Sequence, residues 1–194
     1  MFQAPQEAPA RLDRQPKARR LVDWSREVRL VAGLVAPLPR PGHVVSGLLG
    51  AGCGRLDSFI PCFAELLGVP FTLDACTLAV SAAAIDEMAR LLEAGKITRI
   101  RLLLSKFFES RSLKECGYVV DRMTRLGQAT AIGQSHAKLF LIQPEGRGDR
   151  YVCESSANLR SCSCVEQFSL SNDAELFQFY TAFLERFFHE RTQP

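Results

Sequence analysis

The apolar positions of this chain change their period from one segment to the next, and each change marks an element. Residues 57–67 form a dense apolar run that Asp57 or Ser58 can cap and Gly68 can stop, which predicts a helix. Residues 71–80 are rich in β-branched and apolar types and read as a buried strand. Across 81–94, Ile85, Met88, Leu91 and Leu92 recur at helical spacing, and Gly95 closes the pattern. Residues 97–104 give a second strand, and 110–126 a helix interrupted by Gly117 and ended by Gly127. Residues 129–135 and 136–142 read as strands, or as one bent strand, followed by strands over 151–155 and 165–170. Asn172 then opens a last helix, with Glu175 completing a capping box. Its stripe of Leu176, Tyr180, Phe183 and Phe187, flanked by Phe177 and Leu184, is a core face. Alternation of strand and helix up to about residue 135 predicts an α/β domain, a mixed β-sheet sandwiched between helices, with no internal repeat.

The first 40 residues differ. Residues 1–20 are rich in Pro, Gln, Ala and Arg and read as a mobile basic arm. Residues 21–35 suit a short helix with Trp24 on its apolar side, after which Pro37, Pro39 and Pro41 end regular structure. This divides the chain into a basic, partly flexible N-terminal arm over 1–40 and one domain over 41–194. The glycine-rich run over 47–54 is no phosphate loop, because Gly52 is followed by Cys53 and Gly54 rather than by Lys and Ser or Thr. Nor is it a dinucleotide fingerprint, since Pro41 and Gly42 disturb the strand that should precede it; a flexible connector is expected.

Charge sharpens this division. The chain holds 24 Lys and Arg against 21 Asp and Glu, a formal +3. Residues 1–40 carry eight basic and four acidic groups, which leaves 16 basic against 17 acidic in the rest. The body is therefore near neutral, which excludes polycation-like binding over its whole surface and makes any nucleic-acid contact local. No apolar stretch of about 18 residues predicts a transmembrane helix, and no apolar segment near Met1 predicts a secretory signal. Seven scattered cysteines suit free, mostly buried thiols in a reducing, cytoplasmic setting. Cys162-Ser-Cys164 is the one close pair; with only Cys153 near it, no metal set is expected, and no cofactor.

The chemistry gathers after residue 135. In a strand, side chains two apart share a face, so His136, Lys138, Phe140 and Ile142 lie together, opposite Ala137, Leu139 and Leu141. An imidazole and an ammonium on an apolar strand are costly to bury unpaired, which marks them as site candidates. Residues 143–150 contain Pro144, Gly146 and Gly148 and read as a hairpin loop, where Arg147-Gly148-Asp149 is turn chemistry. If Ile142 pairs with Tyr151, then Lys138 faces Ser155, His136 faces Ala157, and Ser156 and Asn158 arrive beside them. These groups suit phosphodiester chemistry. Imidazole is a nucleophile that is neutral near pH 7. Lys138 and Asn158 can hold non-bridging oxygens in the transition state, Ser156 can add a hydrogen bond, and Glu166 can orient the imidazole. Arg160 is placed to touch phosphate, and no metal is required.

His136-x-Lys138, followed by Ser155-Ser156-Ala157-Asn158 and then Glu166, resembles the motif of the phospholipase D superfamily, written H-x-K-x4-D, then G-S-x-N, then a downstream Glu. The resemblance covers residues 57–187 and points to the small single-copy bacterial and phage endonuclease-like members. Two positions depart from it: Gln143 stands for the Asp, and Ser155 for the Gly. The family sets two motifs face to face, one His forming a phosphohistidine and the other protonating the leaving oxygen. Neither His43 nor His189 is followed by Lys two residues on, so a single copy implies a homodimer with His136 of both subunits at the two-fold axis. The resemblance thus implies a metal-independent phosphodiesterase, foremost a nuclease acting on DNA or RNA. A nucleic-acid-binding member that has lost turnover through Gln143 is the alternative. A lipid phosphodiesterase ranks third, since no amphipathic helix with a basic face is visible and no membrane insertion is expected.

Overall fold

A computed structural model describes residues 22–50, 54–160 and 164–189. Residues 1–21, which hold most of the basic arm, lie outside the described residues, as do the tip of the glycine-rich run and Cys162. Among the described residues the order is α1 (Trp24–Val35), β1 (Val44–Leu49), a 3-10 turn (Leu56–Ser58), α2 (Phe59–Leu66), β2 (Phe71–Thr77), α3 (Ala82–Glu93), β3 (Ile97–Ser105), α4 (Lys106–Arg111), α5 (Leu113–Arg125), β4 (Ala129–Gly133), β5 (Leu139–Pro144), β6 (Tyr151–Ser155), β7 (Glu166–Asn172) and α6 (Ala174–His189). The strands form one mixed sheet in the order β1-β7-β6-β5-β2-β3-β4, with β2-β3-β4 parallel and the rest antiparallel. No helix among the described residues is long and apolar enough to cross a membrane.

The two faces of the sheet are covered unequally. Helices α1, α2, α3 and α5 bury the larger core, in which Phe59 and Phe63 meet Phe140 edge-on. On the other face, α6 alone lays Phe177 and Leu184, with Leu176, Tyr180, Phe183 and Phe187 beside them, on Leu139, Leu141 and Val152. The alternation along β5 is the reason: Phe140 and Ile142 enter the first core, and Ala137, Leu139 and Leu141 the second.

Several boundaries differ from expectation. Helix α1 spans the middle of the segment grouped with the arm, yet Val28, Val31 and Val35 are buried in the main core. Apolar spacing on a short helix outweighs the basic composition around it. The glycine-rich run is not a connector at its start: residues 44–49 form the edge strand β1, paired with β7. Gly47 belongs there because a Cβ would come within 2.7 Å of the Phe168 ring. Asp57 does not cap α2; its buried carboxylate takes the fork of Arg55, and burial raises its pKa against that pull. Residues 106–125 are two helices broken at Ser112 rather than one. Asn172 ends β7 instead of opening α6, and Asp173 caps that helix by accepting from Leu176 N at 3.0 Å. Buried Asn172 instead ties the sheet end together, donating to Pro39 O and Asp149 and accepting from Arg150 N.

Candidate active site

The parallel strands β2, β3 and β4 end at Thr77, Ser105 and Gly133, and β5 and β7 begin at the same edge of the sheet. Chain reversals there free backbone and side chains for a ligand, as at the carboxyl ends of other α/β sheets. All the sequence-predicted residues lie along this edge.

The hairpin register is the expected one. Ile142 pairs with Tyr151 and Leu139 with Glu154, and the ladder closes with Ser155 N donating to Lys138 O at 2.9 Å. His136 and Lys138 are not within the strand, however; β5 begins at Leu139. They stand on the approach to it, where Lys138 O takes the closing ladder bond and the backbone of His136 takes none; His136 is exposed and Lys138 half-buried. Three contacts fix this approach. Ser135 Oγ accepts from Ala137 N at 3.2 Å and lies 3.2 Å from Cys76 Sγ, and Lys138 Nζ donates to His136 O at 3.3 Å. Burial pushes the Cys76 thiol up, while Ser135 and Lys138 pull it down, so it stays a thiol under the loop.

The second half of the motif is a tight turn leaving β6. Ser155 Oγ donates to Gln167 O at 2.6 Å and accepts from Ala157 N at 3.0 Å. A glycine could not make these bonds, so Ser155 strengthens the turn it departs from. Ser156 Oγ donates to the Glu166 carboxylate and accepts from Gln167 N at 2.9 Å, so its hydroxyl is committed on both sides. Asn158 Oδ1 is buried with no hydrogen-bond partner among the described residues. An orphaned buried acceptor costs about 1–3 kcal/mol and marks a position awaiting a donor. Arg160 is exposed at the rim, its N–H bonded to Asn158 O at 2.7 Å.

Three features of this edge escaped the sequence reading. Thr77 Oγ1 donates to Ala79 O and accepts from Leu159 N, and Ser81 N donates to Leu159 O, so the β2–α3 loop grips the turn that carries Asn158. Ser135 anchors the His136 loop. Phe107, beside Lys106 on α4, has its ring centroid 6.4 Å from that of His136. A signal for it existed: adjacent aromatics on a helix diverge by about 100°, so Phe107 and Phe108 could not both enter the core.

Gln143 is elsewhere. It lies in β5 opposite Thr72, five residues beyond Lys138 and so about 16 Å along an extended strand. Its side chain is remote from the edge that holds His136. Among the described residues no group of three or more His, Cys, Asp or Glu is clustered to hold a metal.

No protein-family model matches the sequence, and no curated protein matches it. Solved structures match in fold. Polyphosphate kinase from Porphyromonas gingivalis superposes with a TM-score of 0.52 at 15% identity over 71% of this chain. NucT from Helicobacter pylori does so with a TM-score of 0.52 at 10% identity over 76%. The chain spans 25% of the kinase and 97% of NucT. The fold is therefore phospholipase D-like, a single mixed sheet of seven described strands between helices.

Proposed function

We propose that the protein is a metal-independent phosphodiesterase, a nuclease that hydrolyses nucleic-acid phosphodiesters through a phosphohistidine at a homodimer interface. The observation that carries this reading is the Ser155–Lys138 backbone bond, which brings both halves of the motif to one sheet edge. The nuclease NucT, which shares the fold along nearly its whole length, supports it.

In the first step His136 of one subunit attacks phosphorus, forming an N–P bond as the P–O bond to the leaving alcohol breaks. The protonated His136 of the second subunit gives its proton to the leaving oxygen. Water then attacks phosphorus, that second imidazole takes a proton from it, and the N–P bond breaks to release a phosphomonoester. Lys138 and Asn158 hold the non-bridging oxygens. Ser156 acts by positioning Glu166, and Arg160 meets phosphate at the rim. The remote place of Gln143 favours this reading over a member that has lost turnover, because the departure lies far from the reacting groups.

The test is cleavage of plasmid and of single-stranded oligonucleotides in EDTA. Wild-type protein cuts; His136→Ala loses roughly 10³-fold or more of the rate. Cleavage that persists in the variant removes His136 from the mechanism. Absence of cleavage by the wild type, with salt-sensitive binding retained, leaves a binding module. A monomer that cuts at full rate overturns the shared site.

A further inference from the structure

We propose that Phe107 is a base-stacking platform beside His136, and that the site accepts a single strand; this rests on the nuclease reading above. The ring is an unusual one to leave in water. Its neighbour Phe108 is 2% exposed, whereas Phe107 is 48% exposed. The backbone beneath it is pinned: Ser105 Oγ accepts from Phe107 N at 3.1 Å, and Ser110 Oγ donates to Phe107 O at 3.1 Å. Short polar bonds thus hold an apolar ring outward.

What surrounds the ring decides the ligand. On one side it joins His136, Lys106, Ser110 and Gln134 around a cleft of about 530 Å³, within the range that takes small planar ligands. On the other it joins Arg111, Asn158 and Arg160 around a niche of about 140 Å³. The Arg111 guanidinium sits 5.5 Å from the ring centroid. Among the described residues, none of Lys106, Arg111, Lys138 and Arg160 is in an ion pair. An exposed ring flanked by unneutralised cations, next to a phosphorus-seeking imidazole, matches a chain that alternates planar bases with phosphates. A duplex keeps its bases inside its own stack and offers mainly phosphate to such a ring; a single strand can lay a base on it.

The experiment is a cycle between a protein deletion and a base deletion. Binding of short DNA and RNA oligonucleotides, single-stranded and duplex, is followed by fluorescence anisotropy, with one base at a time replaced by an abasic position. Loss of one stack lowers affinity by about tenfold, within the span known for base–aromatic contacts. Phe107→Ala should show that loss on single strands and little on duplex, and Phe107→Trp should restore it. One abasic position should cost the wild type as much and cost Phe107→Ala nothing further. An equal loss on duplex, or an undiminished abasic penalty in Phe107→Ala, overturns the platform. If His136→Ala abolishes cleavage while this cycle shows no coupling, the platform alone fails. If His136→Ala still cuts, the mechanism fails and the cycle continues to judge the platform.

Discussion

Arg101 and Arg160 are the same side chain put to opposite uses. Arg101, on β3, is 11% exposed and bonds Asp74 through Nε at 2.8 Å and Nη2 at 2.5 Å, with Nη1 on Glu185 at 2.5 Å. These contacts tie β2 and β3 to α6, and Phe188 lies against the guanidinium. Arg160, at the sheet edge, is in no ion pair among the described residues, and neither are Lys106, Arg111 and Lys138 along the same edge. Near the middle of the sheet charge is neutralised and serves the fold. At the edge it is left unpaired, which costs self-repulsion.

The sharpest break in that contrast is at the chemistry itself: the His136→Ala loss of turnover should come with an unchanged melting temperature, because the exposed ring packs against little. Asp74→Ala should do the reverse. It leaves Arg101 partly buried without its main partner, costing about 3–5 kcal/mol in a urea titration, while the rate per folded molecule stays at the wild-type level. If the stability loss is under 1 kcal/mol, the pair is not a structural tie. Arg160→Ala should shift stability by less than about 0.5 kcal/mol and lower the salt slope of oligonucleotide binding by about one. An unchanged slope removes Arg160 from the phosphate path.

The smallest effect concerns Tyr180, whose hydroxyl donates to Glu154. Burial, then the Glu154 carboxylate, pushes its pKa from 10.0 to about 12. Since the folded value lies above the unfolded one, the stabilisation is complete below pH 10 and is lost as pH rises through about 12. Tyr180→Phe should remove a phenol that titrates near pH 12 from an ultraviolet titration and flatten the alkaline loss of stability over that window. A titration identical to the wild type would contradict the assignment.

The hairpin register and the α6 stripe were legible in the sequence for the same reason: each depends on a local period that the chain repeats several times. Ile142 opposite Tyr151 follows from the turn residues between them, and it carries Lys138 to Ser155. What was not legible depended on a partner distant in sequence. Gly47 reads as connector until Phe168 is set against it; Asp57 is the local exception, reading as a cap although its partner Arg55 is only two residues away. His136 reads as strand, because its alternation continues that of β5, and only the missing ladder bonds set it outside. Phe107 had a local clue in its neighbour Phe108, but its meeting with His136 needed the parallel edge of the sheet.

Among the described residues strand β1 has its only partner in β7, with Val44 opposite Ser171. As the chain is synthesised, β1 precedes the other described strands of the sheet and is matched only by the last of them. Until β7 emerges, Val44, Val45, Leu48 and Leu49 form an unmatched apolar segment of the kind that recruits other chains. Gly47 sits in its middle and weakens its tendency to extend alone. The residue that makes room for Phe168 in the finished sheet thus also serves as a safeguard for the unfinished one.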